Sequence, residues 1–296
     1  MLRELEAKFD YAWNLGVISD QVDFDLNRVL RDFCPKYELR WVEIREVLLD
    51  GTRKYVYEAA TPRQLKELRK QMDDAGVRLS VLDTAVFKVS LPGTTPVDER
   101  PAYLPAGKDD PGRQKEDLKR ACEAARALGG DRIRLFTFRR VAKPETVFER
   151  VVEQLNHALE IAKEHEVTLL VENEYDTNIG TGSEIVRLFQ AIPNRRLMHN
   201  WDPCNAYELG ERPYPDTWNL LDHTRISHVH LKDARGKEWR PIGSGELNFS
   251  GQFQALKKMS YTGTLSVETR YRNGRMDAYA STVESMTGLL KVLKSV

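Results

Sequence analysis

Eight runs of apolar or β-branched residues punctuate the chain, and each is followed by a longer segment of charged, helix-favouring composition. The runs read YAWNLGVIS, LRWVEIRE, GVRLSVLD, DRIRLFTF, VTLLVENE, RLMHNWD, RISHVHL and GTLSVET. Strands that alternate with amphipathic helices lie parallel, because each helix carries the chain back across the sheet. Eight units with none to spare predict an α/β fold closed into a single (β/α)8 TIM barrel. The clearest intervening helices are TPRQLKELRKQMDDAG, RQKEDLKRACEAARALGG and PETVFERVVEQLNHALEIAKEHE. Their apolar residues recur at three- and four-residue steps, and glycine stops the first two. A last helix after Met276 closes the ring. No long linker divides the 296 residues, so 1–296 is expected to be one domain. The main irregularity is the Pro- and Gly-rich segment Leu91 to Gln114, which predicts a long loop after the third strand, a candidate lid or oligomer contact.

Four acid or histidine positions fall at the ends of successive strands in the second half: Glu172 in VENE, Asp202 in NWDP, His230 in HVHLKD and Glu268 in SVET. Each interval is about one strand, one helix and one return loop, so the four side chains are expected to meet on one rim of a barrel. Alternation along a strand groups Glu172 with Leu170 and Glu174, Asp202 with Asn200, His230 with His228, and Glu268 with Ser266. The apolar neighbours Val171, Trp201, Val229, Leu231, Leu265 and Val267 then face the helices. A carboxylate at a strand end ordinarily caps a helix or meets solvent, and a lone histidine there is ordinarily a satisfied polar group. Three carboxylates and one imidazole converging together repel one another, and a divalent cation relieves that repulsion. Glu172, Asp202, His230 and Glu268 are therefore candidate metal ligands. His228 is expected deeper on the same face, and His199 on the helix-facing side with Trp201.

Composition removes several function classes. Forty-five basic and 45 acidic residues cancel, so no global positive field recruits nucleic acid or an anionic membrane. The N-terminus MLRELEAKFD holds no continuous apolar stretch of a secretory or membrane-spanning kind, which makes the cytoplasm the default location. Cys34, Cys122 and Cys204 are odd in number and show no paired spacing, which argues against a disulfide scaffold and a Cys-based zinc motif. Gly243 and Gly245 lack the strand-to-helix fingerprint of a dinucleotide site, so a nicotinamide cofactor is not expected.

The sequence VENE, then DPCNAY, then HVHLKD with PIGSGELNF, then SVET, resembles the xylose isomerase-like barrel superfamily of sugar phosphate isomerases and epimerases. The resemblance implies Glu172, Asp202, His230 and Glu268 as ligands of manganese foremost, with magnesium, cobalt or zinc as alternatives. It also implies a small sugar or polyol-derived ketone as substrate, and a homo-oligomer. Glu172 and Glu268 would be the catalytic pair, one taking a proton next to the carbonyl and the other returning one, through an enediolate stabilised by the ion. Return to the opposite face is epimerisation, and return to the neighbouring carbon is isomerisation. Loss of hydroxide is dehydration, as in the inosose dehydratases of the superfamily. A lyase acting on a keto-glycoside is chemically close. Two departures leave the sugar open: Asn205 stands where ketose 3-epimerases commonly have histidine, and Glu174 stands where many relatives have histidine.

Further candidate substrate contacts are Asn205, Glu174, Lys232, Trp13, Trp201 and Arg240, with Arg139 and Arg140 as other possible anion-binding groups. Two rivals stand beside the enolising reading. An abasic-site endonuclease of the same superfamily would use a multi-zinc cluster with several additional histidines, whereas few of the six here lie on the proposed rim, and it suits a basic surface better than a neutral one. A non-catalytic sugar-binding barrel would keep the ligands without the chemistry.

Overall fold

The computed structural model describes residues 12–97, 110–272, 274 and 277–296. Eight strands form a closed barrel: β1 (Asn14–Ile18), β2 (Trp41–Ile44), β3 (Arg78–Asp83), β4 (Arg132–Leu135), β5 (Thr168–Glu172), β6 (Leu197–Trp201), β7 (Ile226–Leu231) and β8 (Thr264–Val267). Every neighbouring pair is parallel, and β8 closes on β1 with Asn14 beside Thr264 and Val17 beside Val267. Each strand lies inside its predicted run, so the expected eightfold barrel is the observed fold. Around it run α1 (Pro62–Asp74), α2 (Gln114–Ala127), α3 (Phe148–Glu164), α4 (Gly182–Ala191), α5 (Pro203–Glu208), α6 (Phe249–Lys258) and α7 (Ala278–Leu293).

Local chemistry fixes the helix ends. Thr61 caps α1 by accepting from the Gln64 N–H while the Gln64 side chain accepts from the Thr61 N–H, and Pro62 fits the first turn, where a missing N–H costs nothing. Leu65, Leu68 and Met72 turn inward, and Gly76 ends the segment with a positive φ of 66°. Thr181 and Glu184 make the same reciprocal cap on α4.

The sequence pattern does not anticipate two short antiparallel ribbons on the barrel's upper side. One pairs Glu46–Leu49 with Thr52–Tyr55 between β2 and α1, and the other pairs Asp233–Arg235 with Glu238–Arg240 after β7. The first turns on Asp50 and Gly51, whose positive φ values of 50° and 74° suit a two-residue hairpin turn. Only the flanks of the predicted loop Leu91 to Gln114 fall within the described residues, with Pro96 bridging Val141 and a short turn at Pro111–Arg113 leading into α2. Among the described residues, no helix is long and apolar enough to cross a membrane.

The two sides of the barrel wall differ in chemistry. Val171, Trp201, Val229, Leu231, Leu265 and Val267 are buried in the apolar core, on the face that alternation assigns to the helices. The inward positions instead include Glu43, Arg134, Glu172, Asn200, His228, His230 and Ser266, all buried. Register brings several of them side by side: Glu172 beside Asn200, Asn200 beside His228, and Ser266 beside His230. Buried charge at this density must be paired.

Candidate metal centre

Glu172 ends β5, His230 lies near the end of β7, and Asp202 and Glu268 directly follow β6 and β8. Each offers one ligand atom, and those atoms all lie within 4.8 Å of one another. Asp202 divides its carboxylate. Oδ1 caps α5 by accepting from the Cys204 and Asn205 N–H groups at 2.8 and 3.0 Å, so the ordinary capping role is present. Oδ2 turns inward, 2.7 Å from Lys232 Nζ, yet receives no properly directed hydrogen bond. Asn173 fixes this corner by accepting from the Asp202 N–H and donating to the Asp202 carbonyl, both at 2.8 Å.

His230 has two different sides. Nδ1 lies 3.2 Å from Glu172 Oε1 and 3.8 Å from Glu268 Oε2. Nε2 lies 2.9 Å from Glu43 Oε1, while the other oxygen of Glu43 meets His228 Nε2, also at 2.9 Å. Glu43 thereby orients the ring and selects which nitrogen faces the four-residue cluster. Glu268 Oε2 is 2.7 Å from Lys232 Nζ, and its Oε1 is 3.3 Å from Arg270 Nε. Arg134 is wholly enclosed between Asp83 at 2.8 Å and Glu172 at 3.3 Å.

These contacts set the charges. Burial pushes the Glu172 carboxyl up, but His230 and Arg134 overcome it and hold the group at about 2. Glu268 is also driven well below the ordinary range, because Lys232, Arg270 and His230 outweigh its burial. Burial raises Asp202 against the pull of Lys232. Despite burial, Glu43 and Glu172 lift His230 well above its usual value, and Asp202 and Glu268 do the same for Lys232. Burial carries Glu174 up to about 7, opposed by Lys88 and assisted by Asp176.

The donor set fits a divalent cation: three carboxylates and one imidazole converge, Asp202 Oδ2 is buried without a directed donor, and the protein places the Lys232 ammonium against two of the carboxylates. Above the cluster opens a cavity of about 330 Å³ lined by Glu172, Glu174, Glu268 and several cationic side chains. A larger groove of about 430 Å³ runs between α2 and α3 on the outside of the barrel and is distant from this constellation.

The candidate substrate contacts divide into two groups. Asn205 donates to Glu172 Oε1 at 3.1 Å, Lys232 joins Asp202 to Glu268, and Glu174 lines the cavity 3.2 Å from Lys88. Trp201 is fully buried in the helix layer and donates to Gln252 Oε1 at 2.9 Å, the outward side that its strand parity implies. Trp13 precedes β1 at the N-terminal end of the barrel, opposite the strand ends, and packs on Phe253. Neither tryptophan reaches the site. Arg240 pairs with Glu238 on its own ribbon, and its neighbour Trp239 lines the cavity instead. Arg140 is held by Glu184 at 2.8 Å. Sequence reading misses Glu43, Asp83, Arg134 and Arg45. Their one local signal is a charged residue at an inward-facing position of an apolar strand or just beyond it.

The family model described as xylose isomerase-like TIM barrel matches residues 33–289, and the chain belongs to that family. Among curated relatives, the chain is 28% identical over 142 residues to inosose dehydratase of Bacillus licheniformis, covering 41% of this chain and 46% of that protein. The match thus spans less than half of that relative's length. It is 26% identical over 239 residues to the Homo sapiens protein named "Putative hydroxypyruvate isomerase", covering 74% of this chain and 78% of that one. Among solved structures, the IOLI protein with a binding zinc atom superposes with a TM-score of 0.73 at 14% identity, over 95% of this chain and 98% of that one. At that identity the likeness speaks for the fold alone.

Proposed function

We propose that this protein is a divalent-metal-dependent sugar isomerase or epimerase that removes a proton next to a carbonyl. The observation carrying this reading is the pair Glu172 and Glu268, both held ionised, approaching one small volume from separate strands with His230 and Asp202 between them. Glu172, Asp202, His230 and Glu268 would hold the ion, with manganese as the first candidate for a mixed oxygen and nitrogen donor set. Once bound, the ion supplies an electrophile that polarises the substrate carbonyl.

The chain's own groups do the rest. One glutamate accepts the carbon-bound proton and the other delivers a proton to the opposite face or the neighbouring carbon. Lys232, buried and cationic beside Asp202 and Glu268, would donate to a substrate oxygen that gains negative charge. Asn205 steadies Glu172 from the other side and, unlike the histidine of many epimerases, keeps one protonation state near neutrality. The buried wall beneath limits entry of water from below.

A second reading, dehydration of a keto-inositol, is favoured by the similarity to inosose dehydratase. It uses the same first proton removal and then expels hydroxide, which leaves as water after protonation. Products formed by manganese-loaded protein from ketoses, ketose phosphates, inososes and keto-glycosides separate these outcomes. An epimer or positional isomer supports the first reading, and a product lighter by one water supports the second. Full turnover by a Glu172→Gln, Glu268→Gln double variant would contradict both.

A further inference from the structure

We infer that the substrate carries a carboxylate or phosphate and that Arg272, with Arg270 beside it, receives this anion at the barrel mouth. The assignment to substrate rests on the enolising reading above, whereas the anion site itself stands on the geometry. The cavity is lined by six cationic side chains, Arg45, Arg53, Lys88, Arg134, Arg270 and Arg272, against five carboxylates.

Five of the six cations have carboxylate partners. Arg45 lies 2.7 Å from Asp20, Arg53 donates to Glu46 at 2.9 Å, Lys88 is 3.2 Å from Glu174, Arg134 is 2.8 Å from Asp83, and Arg270 is 3.3 Å from Glu268. Arg272 makes no ion pair among the described residues. Its Nη1 donates to the carbonyls of Thr269 and Tyr271 at 3.1 and 2.8 Å, which aims the guanidinium without neutralising it. Partial burial, and then the like charge of Arg270, pull its pKa below the usual guanidinium value, while Asp20 and Asp277 act on it only at longer range.

Glu268, Arg270 and Arg272 lie close together on the segment leaving β8 and all three line the cavity, so the metal-ligand candidate and the two arginines border the same mouth. A divalent ion held by Glu172 and Glu268 would add two positive charges and occupy two of the five carboxylates. The mouth would then hold a cationic surplus. A guanidinium fork offers paired N–H groups to an anionic oxygen pair, a geometry that a neutral polyol cannot match in charge.

Calorimetric titration of the metal-loaded protein with inorganic phosphate, with pyruvate and with neutral dihydroxyacetone tests this site in wild type, Arg272→Gln and Arg272→Lys. At least one anion is expected to bind wild type and to bind Arg272→Gln about tenfold or more weakly, with partial recovery in Arg272→Lys, a loss typical of a charge-assisted contact. Preference for phosphate or pyruvate tells which anion the substrate bears. Anion held by the metal alone would not respond to Arg272. Equal anion affinity in wild type and Arg272→Gln, or no anion binding by wild type, overturns the inference. Titration reads binding without turnover, so Arg272-dependent anion binding without hydrogen exchange on any ketone would retain the anion site and defeat the enolising reading. Exchange on neutral ketoses alone, untouched by Arg272→Gln, would retain the enolising reading and defeat the assignment of the anion to the substrate.

Discussion

Two clusters of side chains of metal-ligating type, each a candidate site only, sit one above the other inside the barrel and share His230. The lower one joins Glu43, His228 and His230, and the upper one joins Glu172, Asp202, His230 and Glu268. In the lower cluster a single carboxylate meets two imidazoles, each at 2.9 Å, and both carboxylate oxygens are used. The upper cluster packs three carboxylates around one imidazole and requires a lysine at 2.7 Å to balance two of them. The lower carboxylate is spent on its two imidazoles and orients them, whereas the upper set keeps a carboxylate oxygen, Asp202 Oδ2, turned inward without a directed donor. The same residue types therefore serve as an orienting base below and as a candidate cation site at the strand ends, where substrate can enter.

The largest effect is expected at the proposed catalytic pair of the upper cluster. Glu268→Gln should slow hydrogen exchange of a ketone in heavy water by about 10²- to 10⁴-fold, the usual contribution of a positioned acid or base, as read by mass spectrometry. Less severe is Glu43→Gln, which touches the upper cluster only through His230. It should weaken metal affinity by about 10- to 100-fold in competition titration with a chelator, the range seen when a partner orienting a ligand histidine is lost. Smaller again is His228→Asn, which contacts Glu43 but no upper carboxylate, so the loss in affinity should stay below about tenfold. A loss as complete as that of an upper-cluster variant would place the ion in the lower cluster.

The smallest effect concerns His199, on the outer face of the wall, where Nε2 meets Asn173 Oδ1 at 3.2 Å. Burial pushes this imidazole from 6.5 down to about 3. The unfolded chain takes up the proton at higher pH, so this contribution to stability is complete above about 6.5 and is lost as pH falls from there towards 3. Denaturant midpoints measured across that window should fall with acidity, and His199→Gln should flatten the slope.

Much of this arrangement is legible along the chain because strand spacing and alternation are local properties. The eight runs contain all eight strands, and parity separates Glu172 and His230 from Val171 and Leu231 before any contact is known. The first ribbon also leaves a local trace in Asp50 and Gly51, although its place in a barrel does not follow from it. Glu43 is different. Its partners lie 185 and 187 residues away in sequence, and its role exists only once the barrel closes. Arg134 likewise reads as an ordinary charge in IRL until closure brings it between Asp83 and Glu172. Trp13 has the right residue type for stacking on a sugar but sits at the wrong end of its strand, and Trp201 sits on the wrong side. Residue type suggests chemistry, and position along and around the strand decides whether it can act.

Metal content per chain, measured side by side for wild type, Asp202→Asn and His228→Asn after loading with manganese and removal of free ion, tests the account at its centre. One ion is expected in wild type, none in Asp202→Asn and one in His228→Asn. A full ion in Asp202→Asn, or loss of the ion in His228→Asn alone, would contradict it.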